Sequence, residues 1–208
     1  RTNKNVTVKD KEVVITDRKI ILKENERSVV MHKGSKELTE MYALIVCQNA
    51  GDVIDIGFGM GFSANEMHKR SDSYTCIEIN PQIYKKATEW AKDKPNVNII
   101  FGDWYEIIPQ LGLKYDGIFM DTHYDFNYNE FEKYAKLIAK DDCILSIWNY
   151  HKMRDTSTLN ERWYSLEEAD FDLPTENTHY IHWTVYNENT NTFDKTSNNI
   201  KSKQEYII

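Results

Sequence analysis

A chain of 208 residues, 40% hydrophobic and 28% charged, has the composition of a globular protein able to bury one core. Its formal net charge of −7 argues against nucleic acid, whose phosphates it would repel, and suits a cationic partner. No apolar run approaches the ~20 residues of a membrane span, and no stretch reads as a signal peptide. A soluble, cytoplasmic protein with no membrane partner is therefore expected. The sequence leaves a homodimer open. The chain opens on Arg1, so its natural start is not expected here. Cys47, Cys76 and Cys143 lie in apolar runs without metal-like spacing and read as reduced core residues.

In chain order, the alternation of apolar and polar residues predicts short antiparallel strands near Val6–Val8, Glu12–Thr16, Lys19–Leu22 and Ser28–Met31. These make residues 1–35 an N-terminal strand extension of a single domain whose body covers 36–208. Lys36 to Ala50 carries Leu38, Met41, Tyr42, Leu44, Ile45 and Cys47 at helical spacing, with Ser35 as its cap. From Asp52 strands and helices alternate. Strands are predicted at Val53–Ile56, Tyr74–Ile79, Val97–Phe101, Gly117–Asp121 and Cys143–Trp148. Helices are predicted at Phe62–Arg70, Pro81–Lys92, Trp104–Leu111 and Tyr128–Ala139, with late antiparallel strands at Tyr180–Tyr186 and Glu205–Ile208. This alternation implies an α/β fold, a Rossmann-like doubly wound and mostly parallel sheet with ligands at the carboxyl ends of its strands.

The most informative stretch is Asp52-Val-Ile-Asp-Ile-Gly-Phe-Gly-Met-Gly-Phe-Ser-Ala64. A buried-strand run breaks at Gly57, Gly59 and Gly61 into a helix start. There the backbone can approach a ligand closely and offers free N–H groups. Glu78 follows roughly 20 residues after the first glycine, where α/β nucleotide folds grip ribose hydroxyls. The Gly-x-Gly-x-Gly spacing differs from the Gly-x-Gly-x-x-Gly of dinucleotide enzymes and favours S-adenosylmethionine as cofactor.

Three further segments sharpen this: Phe101-Gly-Asp-Trp-Tyr-Glu-Ile-Ile-Pro109, Tyr115-Asp-Gly-Ile-Phe-Met-Asp-Thr122, and Met31 with Glu37-x-x-x-Met41. With Gly57-Phe-Gly-Met-Gly and Ile77-Glu-Ile-Asn-Pro, they resemble the guanidinoacetate N-methyltransferase family and its relative acting on the internal guanidino nitrogen of protein arginine. The resemblance spans roughly residues 29 to 150 and implies a class I methyltransferase. It implies that Phe58, Gly59, Met60, Gly61 and Phe62 wrap the methionine and ribose parts of the cofactor. Glu78 would meet the ribose diol, Asp103 and Trp104 would lie along the adenine, and Met31 and Met41 would pack against the cofactor. Glu37 and Asp121 match the two carboxylates holding the guanidino group, and Asn149, Tyr150 and His151 the segment contacting the rest of the substrate.

The chemistry suits these residue types. Methyl transfer is an in-line displacement, so the enzyme mainly supplies position. A guanidinium has a pKa above ~12 and no free lone pair, so carboxylates must orient its fork and accept a proton as the new bond forms. Asp121 is the expected base and Glu37 the second clamp. His123 and His151 are the histidines expected to face the pocket. None of the six histidines forms a metal-binding helical pair, and no metal is expected. The leading expectation is an S-adenosylmethionine-dependent N-methyltransferase acting on a guanidino or other cationic nitrogen of a small molecule. Two alternatives stand beside it. One is an aminopropyltransferase of the spermidine synthase type; the other is a non-catalytic cofactor-binding protein, which the departures from the family pattern at residues 32–36 and 123 allow.

Overall fold

A computed structural model describes residues 8–122, 128–148 and 179–200. The expected sites His123, Asn149, Tyr150 and His151, and the strand at Glu205–Ile208, lie outside the described residues.

The N-terminal segment forms a three-stranded antiparallel sheet, β1 (Val13–Ile15), β2 (Lys19–Leu22) and β3 (Asn25–His32). Its inward residues Val13, Ile20, Ile21 and Leu22 are buried. Val8, expected to end a first strand at Val6–Val8, instead opens a 3-10 turn, Val8–Asp10. A second such turn, Lys33–Ser35, leads into α1 (Lys36–Val46). Ser35 does not cap α1 as expected. Its hydroxyl donates back to the His32 carbonyl at 2.7 Å, while His32 Nδ1 accepts the Gly34 N–H at 3.0 Å. The helix also stops at Val46, short of Ala50, because Ala50 and Gly51 take φ of 50° and 71° to reverse the chain.

The remaining elements are β4 (Asp52–Ile56), α2 (Phe62–Arg70), β5 (Ser73–Glu78), α3 (Pro81–Ala91), β6 (Val97–Phe101) and α4 (Trp104–Ile107). Then follow β7 (Tyr115–Met120), α5 (Tyr128–Ile138), β8 (Ala139–Ile147), β9 (His179–Asn187) and β10 (Thr192–Ile200). One seven-stranded sheet runs β10-β9-β8-β7-β4-β5-β6. β4, β5, β6, β7 and β8 are mutually parallel, and β9 and β10 add an antiparallel hairpin. β10 was not expected, because Asp194-Lys-Thr-Ser-Asn-Asn199 carries little apolar alternation.

Strand periodicity sorts the side chains into two cores. Val53, Tyr74, Cys76 and Phe119 join α1, α2, α3 and the N-terminal sheet on one face. Ile54, Ile56, Ile77, Ile118 and Met120 join Trp104, Phe131 and Ala135 on the other. Sheet order reverses at β4: the chain first builds outward to β5 and β6, then returns to β7 on the opposite side. This is the switch point at which a doubly wound sheet opens a crevice.

Two features fix α1 against the sheet. It packs on α2, β7 and β8, and its terminal Val46 carbonyl rests on Gly117 of β7, where any Cβ would collide with it. Gly117→Ala should therefore lower stability by ~1–3 kcal/mol, the usual cost of overpacking. Chemical denaturation of the two proteins measures this directly.

Candidate cofactor and acceptor site

The turn after β4 is glycine-built for a geometric reason. Gly57, Gly59 and Gly61 have φ of 100°, 53° and 82°, which side-chain-bearing residues rarely adopt. A Cβ on Gly57 would strike the Asp121 carbonyl, and one on Gly59 would stand 2.5 Å from the Met31 sulfur. Gly61 caps α2 without a side chain, leaving the first N–H groups of that helix facing the turn. The Gly61 N–H donates to the Phe58 carbonyl at 2.8 Å, closing the bend.

Glu78 ends β5 beside this turn and is 3% exposed. Its carboxylate accepts the Phe58 N–H and the Asn80 N–H, each at 2.8 Å. Burial raises its pKa, and those backbone donors hold the rise in check. Asp121 follows the last residue of β7, its N–H donating to the Ile56 carbonyl at 3.0 Å. Removal from water, with the Glu78 charge nearby, pushes its carboxyl up to about 7. A third acid was not singled out from the sequence. Asp55, on β4, is fully buried. Ser63 and Tyr74 hydroxyls donate to its Oδ2 at 2.7 and 3.0 Å, while its Oδ1 has no hydrogen-bond partner among the described residues. Burial pushes this carboxyl to about 8, opposed by those two hydroxyls and reinforced by the charges of Asp121 and Glu78. An acid inside the apolar run Val53-Ile-Asp-Ile56 was the available signal.

The opposite end of the sheet is electrically different. Lys140 Nζ reaches Asp52 at 2.8 Å and Asp116 at 2.7 Å, and Ser73 donates to Asp52 at 2.6 Å. These contacts hold Asp52 below the usual carboxylate range and lift Lys140. Among the described residues no salt bridge reaches Asp55, Glu78 or Asp121. The acids at the carboxyl end thus lack a cationic partner among the described residues, and burial shifts them toward their protonated forms. Among the described residues no group of His, Cys, Asp and Glu is placed to hold a metal ion.

The structure brings Met31, Gly57, Gly59, Met60, Gly61, Glu78 and Asp121 to one place. Met31, near the end of β3, accepts the Met60 N–H on its sulfur at 3.1 Å. Other expected contacts face the core instead. Phe58 is 2% exposed and packs on Trp90 with ring centroids 5.5 Å apart; Phe62 and Met41 are also buried. Trp104 stacks on Tyr105 at 3.6 Å and meets Phe131 and Tyr134 edge-on. Its ring is therefore a core element more than a pocket wall. Asp103 caps α4, accepting the Tyr105 N–H at 3.1 Å. Glu37 is exposed on the first turn of α1.

A parallel sheet with a switch point, a glycine cradle that no Cβ could enter, and a buried carboxylate beside it define the class I S-adenosylmethionine-dependent methyltransferase architecture. The donors present fit that cofactor: the first N–H groups of α2 face the turn, and a carboxylate stands ready for the ribose diol. Residues 18–150 match guanidinoacetate N-methyltransferase, well over half of the chain, and the chain belongs to that family. It is 27% identical over 135 residues to protein arginine N-methyltransferase 2 of Yarrowia lipolytica, covering 59% of this chain and 28% of that one. With protein arginine N-methyltransferase 2 of Candida glabrata it shares 31% identity over 120 residues, covering 50% and 29%. The chain thus spans under a third of the length of these relatives. Spermidine synthase from Thermotoga maritima superposes with a TM-score of 0.43 at 20% identity, covering 65% of this chain and 55% of that one. Among the described residues no helix is long and apolar enough to cross a membrane.

The buried acids carry a pH signature. A folded Asp55 with pKa about 8, against 3.8 when unfolded, binds a proton that the unfolded chain has lost between those values. Its favourable contribution is present below the lower value and disappears as pH rises through the upper one. Asp55→Asn should therefore flatten the fall in stability between these pH values. A residual slope should remain from Asp121, whose folded value is about 7. Melting temperatures of both proteins across this range provide the check.

Proposed function

We propose that this chain transfers the methyl group of S-adenosylmethionine to a guanidino or other cationic nitrogen of a small molecule. The observation that carries the proposal is the group of acids beside the glycine turn that no salt bridge reaches among the described residues, with Asp121 at its edge. When bound, the cofactor supplies an electrophilic methyl carbon. The chain supplies the rest. Gly57, Gly59 and Gly61 present backbone to the cofactor, Glu78 takes its ribose hydroxyls, and Met31 covers the turn. Asp121 holds the acceptor cation and accepts its proton at a carboxylate oxygen. Glu37, on the first turn of α1, is the second carboxylate for the guanidino fork.

A base with pKa near 7 is half ionised at neutrality, which suits proton transfer at that pH. A cation beside it would favour the ionised form. Its likeness to the fungal protein arginine N-methyltransferases supports a second acceptor with the same chemistry, the guanidino group of arginine within a protein.

Asp121→Asn should preserve fold and cofactor affinity while lowering methyl transfer by about 10²–10⁴-fold, the range of a lost acid–base group. The wild-type kcat/KM should rise with pH through about 7, and the variant should lose that rise. Glu37→Gln should raise acceptor KM more than it alters cofactor affinity. Labelled transfer to free guanidino compounds, amines and arginine peptides identifies the acceptor, and mass analysis of the product separates methyl from aminopropyl transfer. A methylated oxygen, an aminopropylated amine or an unimpaired Asp121→Asn would each reject the reading.

A further inference from the structure

Asn80 is fully buried and has all four side-chain hydrogen-bonding positions in use. Its Oδ1 accepts the Gln82 and Ile83 N–H groups at 3.0 and 3.2 Å, capping α3. Its Nδ2 donates to the Val8 carbonyl at 2.7 Å and the Lys11 carbonyl at 2.9 Å. Its backbone N–H donates to Glu78. Two residues on, Gln82 treats β1 as a neighbouring strand would. Its Oε1 accepts the Val13 N–H at 2.7 Å and its Nε2 donates to the Val13 carbonyl at 3.2 Å.

These bonds close a ring. From Val8 and Lys11 the chain runs into β1, which pairs with β2, and β2 sets Ile20 opposite Met31 of β3. Met31 sulfur receives the Met60 N–H of the glycine turn. Two residues before Met60, the Phe58 N–H reaches one oxygen of Glu78, and the other oxygen receives Asn80. Asn80 then returns to Val8 and Lys11. The N-terminal sheet is thus joined to both sides of one carboxylate, through β3 on the turn side and through Asn80 on the helix side.

We propose that Asn80 is a positioning residue that makes docking of the N-terminal sheet and the ribose-binding geometry of Glu78 a single cooperative unit. This rests on the reading above that Glu78 takes the cofactor's ribose hydroxyls. No other side chain does the same work. Aspartate can cap α3 but would set a carboxylate oxygen against two carbonyl oxygens. Serine and threonine lack a second donor. By reciprocity, a ligand that engages Glu78 must also tighten the N-terminal sheet.

The test uses the full chain, with S-adenosylhomocysteine and its 2′,3′-dideoxyribose analogue as probes in calorimetric titrations. Asn80→Asp should weaken S-adenosylhomocysteine roughly tenfold, the scale of one charge-assisted hydrogen bond, and barely alter the dideoxy analogue. In a Glu78→Gln background the Asn80→Asp loss should shrink, because the two act through one contact. S-adenosylhomocysteine should slow amide exchange across residues 8–32 in the wild type and much less in Asn80→Asp. Equal losses for both probes, additive losses in the double variant, or unchanged affinity in a folded Asn80→Asp would overturn the proposal. Should Asn80→Asp fail to fold, Gln82→Ala releases Val13 while keeping the cap. It should show the same hydroxyl-selective loss and reduced exchange protection, and their absence would be equally fatal. A Glu78→Gln variant that binds both probes as the wild type does would instead reject the cofactor assignment itself, and this inference with it.

Discussion

Most of the site depends on one buried carboxylate receiving backbone N–H groups from two directions. Glu78 fixes the glycine turn through Phe58 and the start of α3 through Asn80. It adds a second tie to β5 beside the Gly57 N–H, which donates to the Ile77 carbonyl at 2.9 Å. With Glu78 in place, the turn after β4 and the start of α3 after β5 share a common anchor. A carboxylate can do this because it accepts several bonds at once and grows stronger as water is excluded.

The two ends of the sheet show what that arrangement demands. Where Lys140 sits between Asp52 and Asp116, acids are ordinary structural partners, half exposed and worth little individually. Where Asp55, Glu78 and Asp121 gather, burial and mutual repulsion push protons onto the group. A fold selected only for stability would place apolar residues there. Retaining acids there without a cationic partner makes sense if a cation arrives to draw them into their charged forms, which is the electrostatic condition that the proposed guanidino recognition requires.

Much of the sheet was legible because buried parallel strands leave apolar runs punctuated by glycine. Phe62–Arg70 and Val97–Phe101 take the bounds their pattern suggests, and the glycine turn announces itself. β10 was hidden because a polar strand carries little periodic signal. The side-chain directions of Phe58 and Trp104 were hidden for another reason. A motif fixes which residues flank a turn but not which of them the core claims, and here Trp90 and the α5 aromatics claim both. Asn80 and Gln82 read as a helix start. Their second task, holding a segment roughly 70 residues away, exists only once the chain is folded.

The contact between Gly117 and the Val46 carbonyl has a reach beyond its own packing. Val46 ends a helix whose first turn carries Glu37, and at 1.5 Å per residue the two lie about 14 Å apart. The helix is held along its buried stretch from Thr39 to Val46, and its last carbonyl sits on a backbone with no side chain. Its exposed first turn carries the Glu37 carboxylate. A shift of that seat would move the whole helix, so under the proposed reading the spacing of the Glu37 clamp would be set from a strand at the far end of the helix. Acceptors of different size could then be accommodated by altering the seat while every residue lining the pocket stays the same.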